Sequence, residues 1–222
     1  MARKKRGIEN GRLHIDFANS AQKLAYGEYQ QHDILILLGP AGTGKSFLAS
    51  AFAMKEVIDK TKHKIVITRP IVEAGEKLGF LPGTFEEKVN PYVLPVYDCI
   101  RKLMGGTQDT FESFINNYVE VAPIAYMRGR TFDESICIFD EAQNATYKQL
   151  KLFLTRFGRN SKIIITGDPK QSDICDSENE EIPLVTVVNK IQTVPGVAVI
   201  SFGNDCIVRN PMITEILNRL ES

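Results

Sequence analysis

Five short runs of almost unbroken apolar, often β-branched residues mark this chain: DILILLG (33–39), KIVITR (64–69), SICIFD (135–140), KIIITGD (162–168) and VAVISFG (197–203). Each is bounded by turn residues or charges. Runs with so few polar positions read as strands covered on both faces, which is the habit of parallel sheets. Between them the apolar spacing becomes helical. Helices are expected from Lys45 to about Lys60, Thr146 to about Phe157, Leu184 to Lys190 and Pro211 to about Leu220. Asn210 and Pro211 supply an N-cap and first-turn pair for the last of these. The alternation predicts an α/β domain, a doubly wound parallel sheet of about five strands with helices on both faces.

One connection is too long for that scheme. Between Arg69 and Ser135 lie 65 residues, holding GEKLGFLPG, a helical segment around Pro91 to Met104, a turn at GGTQD and a candidate strand at Tyr118 to Tyr126. Connections of this length carry function or structure of their own. The expected organisation is a basic tail and helical lead-in over 1–32, then one domain over 33–222 with an insertion at about 71–130. The acidic stretch DSENEEIP (176–183) reads as an exposed loop.

Charge and cysteine usage narrow the field. The chain has 222 residues, with 27 Lys plus Arg against 27 Asp plus Glu, so any nucleic-acid contact must use a local patch. The run Arg3-Lys4-Lys5-Arg6 is a solvated tail or a weak phosphate-binding arm. Four scattered cysteines without a CxxC pair, and three separated histidines, suit reduced thiols in the cytoplasm and exclude a disulfide frame or zinc site. No apolar run reaches the roughly 20 residues that span a bilayer, and no apolar core follows the basic start.

The chemistry concentrates at strand ends. Gly39-Pro40-Ala41-Gly42-Thr43-Gly44-Lys45-Ser46 fits G-x-x-x-x-G-K-[ST] between a strand and a helix. Its glycines let backbone N–H groups wrap a phosphate at the helix N-terminus. Lys45 would bring charge to the outer phosphates, the Ser46 hydroxyl would ligate Mg²⁺, and Phe47 flanks the cradle. The strand SICIFD ends in adjacent carboxylates, Asp140 and Glu141, which need a nearby cation. Magnesium brought with a nucleotide meets that need. Asp140 would hold Mg²⁺, and Glu141 would activate the attacking water. A second carboxylate here favours hydrolysis over phosphotransfer to another substrate. In ITGDPKQ (165–171), Gln171 and, less strongly, Asp168 are placed to sense a γ-phosphate.

Taken in order, GPAGTGKS, ITRP, FDEAQN and TGDPKQ resemble the core of superfamily 1 helicases. The closer resemblance is to the PhoH-like proteins. It is carried by TRPIVEAGEKLGFLPG (68–83), KVNPYVLPVYD (88–98), APIAYMRGRTF (122–132), DEAQNAT (140–146) and LKLFLTRFGRNSKIIITGD (150–168). CIVRNP (206–211) resembles that family's terminal arginine motif in altered form, and the acidic loop at 176–183 departs from its glycine- and basic-rich pattern. The resemblance implies a P-loop NTPase fold of RecA-like type and a phosphate-starvation-associated ATPase using ATP and Mg²⁺, linked to RNA binding or unwinding. By the same likeness Gln22 stands where related helicases hold adenine; a solvent-facing helix residue is the other reading. Thr68 and Arg69 stand where those helicases touch a nucleic-acid backbone. Structural pairing of Arg69 with Glu73 or Glu76 is the alternative. Tyr26 is a candidate to stack on the base. Phe80, Tyr92 and Tyr97 are candidates for stacking or core.

Superfamily 1 helicases place ATP between two cores, the second giving an arginine to the transferring phosphate. With one cradle here, a ring, expected as a hexamer, would supply that arginine in trans. Arg209 is the first candidate, followed by Arg130, Arg128 and Arg156. RNA or single-stranded DNA is the expected partner and no membrane is.

Overall fold

The computed structural model describes residues 7–9, 11–70, 85–173, 182–208 and 219. All but residue 219 of the helix expected after Asn210, Arg209 itself, Glu73, Glu76 and Phe80, and most of the acidic loop lie outside those residues.

A short antiparallel hairpin comes first, β1 (Gly7–Glu9) with β2 (Arg12–His14). The sequence predicts no strand there. Helix α1 (Ser20–Gln31) is capped by Asn19, whose side chain accepts from the Gln22 amide. The main body is β3 (Ile34–Leu38), α2 (Lys45–Ile58), β4 (Lys64–Thr68), α3 (Phe85–Met104), α4 (Gln108–Tyr118), β5 (Val119–Val121), β6 (Ser135–Phe139), α5 (Tyr147–Leu154), β7 (Lys162–Gly167), α6 (Pro183–Ile191) and β8 (Val197–Ser201). The hairpin packs near α2 and buries Leu13 in the core.

Six of these strands form one parallel sheet in the order β5-β4-β6-β7-β3-β8. Five are the apolar runs. The sixth, β5, lies at the edge and takes up only Val119–Val121 of the long connection's candidate strand at Tyr118 to Tyr126, whose first residue ends α4 and whose last three form a 3-10 turn. The same connection holds α4, which the sequence does not announce; Thr107 caps it through a side chain that accepts from Thr110 N.

Side chains alternate across the sheet with the strand period of two. Leu35, Leu37, Ile65, Ile67, Ile136, Ile138 and Ile164 enter one core with α1, α2, α3 and α4. Ile36, Val66, Cys137, Phe139, Ile163 and Ile165 enter the other with α5 and α6. Helix α2 is apolar nearly all round because α3 covers its outer side. On α3, Val93, Val96, Ile100 and Leu103 form the buried stripe. Each such side chain removed from water contributes roughly 1.5–3 kcal/mol.

Register sets up the chemistry. Leu38 pairs with Gly167 and with Ser201, and Thr68 pairs with Phe139. The strands therefore end level, and Gly39, Asp168, Phe202, Arg69 and Asp140 leave the sheet along one edge.

Candidate active site

The loop after β3 is shaped by close backbone approach. Gly39 has φ 143°, and a Cβ there would sit 2.5 Å from the Phe202 carbonyl oxygen. Gly44 has φ 89° and caps α2 without any side-chain bond. The first amides of α2 are thus left uncapped by a side chain, the arrangement that suits an anion. Thr43 Oγ1 donates to Pro40 O at 2.9 Å, and Val208 N donates to Gly42 O at 2.9 Å, so the chain after β8 braces the loop. Lys45 folds over its own loop, its Nζ donating to the carbonyls of Gly39 (2.6 Å) and Pro40 (3.0 Å). A cavity of about 380 Å³ opens beside the cradle, between Pro40, Asp168 and Phe202.

Ser46 Oγ donates to Asp140 Oδ1 at 2.7 Å, and Thr166 Oγ1 donates to the same oxygen at 2.5 Å. Asp140 is 1% exposed, and its Oδ2 is buried without a hydrogen-bond partner. The guanidinium nitrogen Arg69 Nη1 stands 4.0 Å from that oxygen, beyond hydrogen-bond reach. A buried carboxylate oxygen left unbonded costs free energy. A divalent ion, or a water in its shell, fits that oxygen and the adjoining Ser46 hydroxyl. Among the described residues no cluster of three or more His, Cys, Asp or Glu could hold a metal by itself.

Glu141 begins the turn after β6 in the left-handed region, with φ 53° and ψ 41°. Non-glycine residues held there carry strain and cluster at functional sites. Arg69 Nη2 lies 3.6 Å from its Oε1, and Gln143 Nε2 donates to its Oε2 at 2.6 Å. Gln143 Oε1 in turn accepts from Asp168 N at 3.0 Å. Gln143 is 2% exposed and ties the carboxylate to the end of β7.

The other singled-out residues fall as follows. Gln171 stands exposed on the turn after β7; the glutamine joining Glu141 to β7 is Gln143, which no sequence pattern marks out. Gln22 is buried at 4%. Its Oε1 accepts from Ala18 N (2.8 Å) and its Nε2 donates to Thr43 O (3.0 Å), so both ends of the amide serve the fold and the cradle. That corrects the reading of Gln22 as a solvent-facing helix residue. Tyr26 packs between Phe17 and Phe52, and Tyr97 packs edge-on against Phe111. The side chain of Tyr92 lies outside the described residues. Phe47 packs against the core beneath the cradle. Arg130 pairs with Glu120 at 2.5 Å and lies over Phe132, while Arg156 Nη1 donates to Arg130 O at 3.0 Å. Arg128 is exposed.

The sequence model of the PhoH-like protein family matches residues 14–221. Over 188 residues the chain is 42% identical to a PhoH-like protein of Bacillus subtilis (strain 168), covering 85% of this chain and 58% of that protein. Over 226 residues it is 35% identical to Protein PhoH of Escherichia coli (strain K12), covering 96% and 62%. The chain thus spans about three-fifths of the length of these relatives. Among solved structures, the large terminase of a thermophilic bacteriophage shares the fold at a TM-score of 0.54 and 10% identity, over 90% of this chain and 49% of that chain. Among the described residues no helix is long and apolar enough to cross a membrane.

Proposed function

The chain belongs to the PhoH-like protein family, and from that premise we propose that it is a Mg²⁺-dependent ATP hydrolase coupled to RNA or single-stranded DNA. The observation that carries the reading is the meeting of Ser46, Asp140 and Glu141 beside the Lys45 loop, with one oxygen of Asp140 left unbonded. In this reading the amides of the loop and of the first turn of α2 bind the phosphates. Lys45 exchanges its two carbonyl partners for phosphate oxygens. Ser46 and Asp140 hold the metal, which supplies charge neutralisation to the phosphate oxygens. Glu141 takes a proton from the attacking water, and Gln143 holds Glu141 in place. Gln171 and Asp168 sense the γ-phosphate from the turn after β7. Gln22 steadies the cradle through Thr43, next to the adenine position that the family likeness implies.

An arginine from a neighbouring subunit in a ring, a hexamer, completes the site, with Arg209 the first candidate. What favours a donor other than Arg130 and Arg156 is that both are engaged within their own chain. The Arg69–Glu141 contact favours a second reading, a slow nucleotide-controlled switch that recruits a partner without moving along a strand. Glu141→Gln tests the hydrolase: Mg-ATP binding is retained and turnover falls by about 10²–10⁴. Unchanged turnover overturns the assignment of the base. Turnover that stays flat across RNA and DNA titrations favours the switch over the coupled hydrolase. A clean monomer on sizing with ATP that still turns over quickly removes the ring.

A further inference from the structure

Helices α5 and α6 pack against one another on one face of the sheet and carry cations without a single carboxylate: Lys148 and Lys151 on α5, Lys190 on α6. Lys148 and Lys151 are one turn apart and share an exposed ridge with Tyr147. Lys190 Nζ stands 5.2 Å from the centre of the Tyr147 ring, which carries the ridge across to α6. On the other flank, Arg128, Lys148 and Gln149 wall a cavity of about 390 Å³ lined also by Ile124, Ala125 and Leu152. Tyr126 and Tyr147 are 60% and 41% exposed. Among the described residues, none of Arg128, Lys148, Lys151 and Lys190 is ion-paired with a carboxylate. In a chain whose charges balance at 27 each, this is a local positive field with an apolar recess and exposed aromatic rings inside it.

We propose that this surface is the seat of a single-stranded nucleic acid. The three lysines and Arg128 take backbone phosphates, Tyr147 offers a ring face between α5 and α6, and an unpaired base enters the recess beside Arg128 and Lys148. Cations tracking a backbone, with aromatic faces set among them, are the features that single strands use, and a recess for a base needs that base unpaired. The surface is also close in the chain to the chemistry. Glu141 leads through a single 3-10 turn, Ala142–Asn144, to the Thr146 cap of α5. This inference rests on the coupling to a nucleic acid proposed above and gives that strand its place.

The test measures anisotropy of a labelled oligouridine and its deoxy counterpart over a salt series, with a polyglutamate peptide as competitor. Replacing Lys148, Lys151 and Lys190 together by Gln weakens binding about tenfold or more. It also lowers the slope of log affinity against log salt by about 2, since each lost contact to a single strand removes about 0.7. Ala125→Trp fills the recess, leaves the salt slope unchanged and weakens binding about fivefold or more. Both variants bind Mg-ATP as the wild type does, which shows that they are folded. If the wild type binds the oligonucleotides and the lysine variant binds them equally well, the surface is overturned while nucleic-acid coupling stands. If the wild type binds neither, both are overturned. If polyglutamate displaces the strand at equal charge and Ala125→Trp has no effect, an acidic protein partner replaces the nucleic acid and the inference is overturned.

Discussion

Arg69 and Glu141 meet across two neighbouring strands, Nη2 to Oε1 at 3.6 Å. The register of β4 on β6 pairs Thr68 with Phe139, so the next residue of each strand, Arg69 and Asp140, leaves the sheet side by side. The adjacent carboxylates therefore have a guanidinium nearby. Its side chain is 23% exposed while Asp140 is 1% exposed, so the pairing is partly screened on one side only.

Replacing Arg69 removes that charge and leaves Asp140 and Glu141 facing each other. Arg69→Ala is expected to lower stability by about 1–2 kcal/mol in EDTA. If Asp140 holds Mg²⁺ as proposed, saturating Mg²⁺ is expected to restore much of the difference by neutralising that carboxylate. Thermal melts with and without metal check this; equal losses in both conditions refute the exchange of Arg69 for a cation.

Gln143 joins Glu141 to the backbone at Asp168 through two hydrogen bonds. If Glu141 is the base as proposed, Gln143→Ala should drop kcat about tenfold or more while leaving the KM for ATP nearly unchanged, because Gln143 contacts Glu141 and not the loop after β3. It also strands the buried Asp168 N–H, at about 1–3 kcal/mol of stability. Steady-state kinetics beside a denaturant melt separate the two effects. A rise in KM with unchanged kcat would show that Gln143 serves binding.

The cradle has no room at Gly39. Gly39→Ala would place a methyl 2.5 Å from a backbone oxygen at a φ of 143°. Neither a side-chain rotation nor a small shift relieves that. The variant is expected to lose about 2 kcal/mol or more and to bind Mg-ATP poorly. A wild-type melting curve would show that the loop and the β8 end part more easily than their contacts imply.

Among the described residues, Glu120 in β5 is expected to contribute acid sensitivity. Burial pushes its carboxyl up, but hydrogen bonds from Lys64 (2.8 Å) and Arg130 (2.5 Å), with their charges, outweigh burial and hold it below its ordinary value. A carboxylate lowered in the folded state binds fewer protons than in the unfolded chain. Its contribution is present above the unfolded carboxylate range, near pH 4.3, and is lost as pH falls through the lower folded value. Glu120→Gln should therefore lower the neutral plateau of a stability–pH curve and flatten its acid limb. An unaltered acid limb counts against the pairing.

The central strands are legible because each is an apolar run buried on both faces, and the cradle because its glycine spacing is fixed by backbone geometry. The hairpin at Gly7–Glu9 and Arg12–His14 is not, since three residues per strand give no alternation to read. Helix α4 is hidden by its aromatic and β-branched end, where Phe114, Ile115 and Tyr118 lead straight into β5. Within the site, Ser46, Asp140 and Glu141 can be named from local spacing. The contacts of Arg69 and Gln143 cannot, because they depend on β4 and β7 both flanking β6, an order that appears only once the sheet is assembled. The burial of Gln22 escapes a local reading for a similar reason: α1 looks weakly amphipathic in isolation, and its partner, the Thr43 carbonyl, comes 21 residues later.

Helix α1 is fastened at both ends. Near its start Gln22 grips the loop at Thr43, and at its far end the Lys162 ammonium, at the foot of β7, donates to the carbonyls of Tyr29 (2.6 Å) and His32 (2.9 Å). Twelve residues give it a length of about 18 Å. It is a tie rod strung from the base of the sheet to the loop that follows β3. Movement of the loop at Thr43 must either break the Gln22 link or pull α1 against its Lys162 anchor.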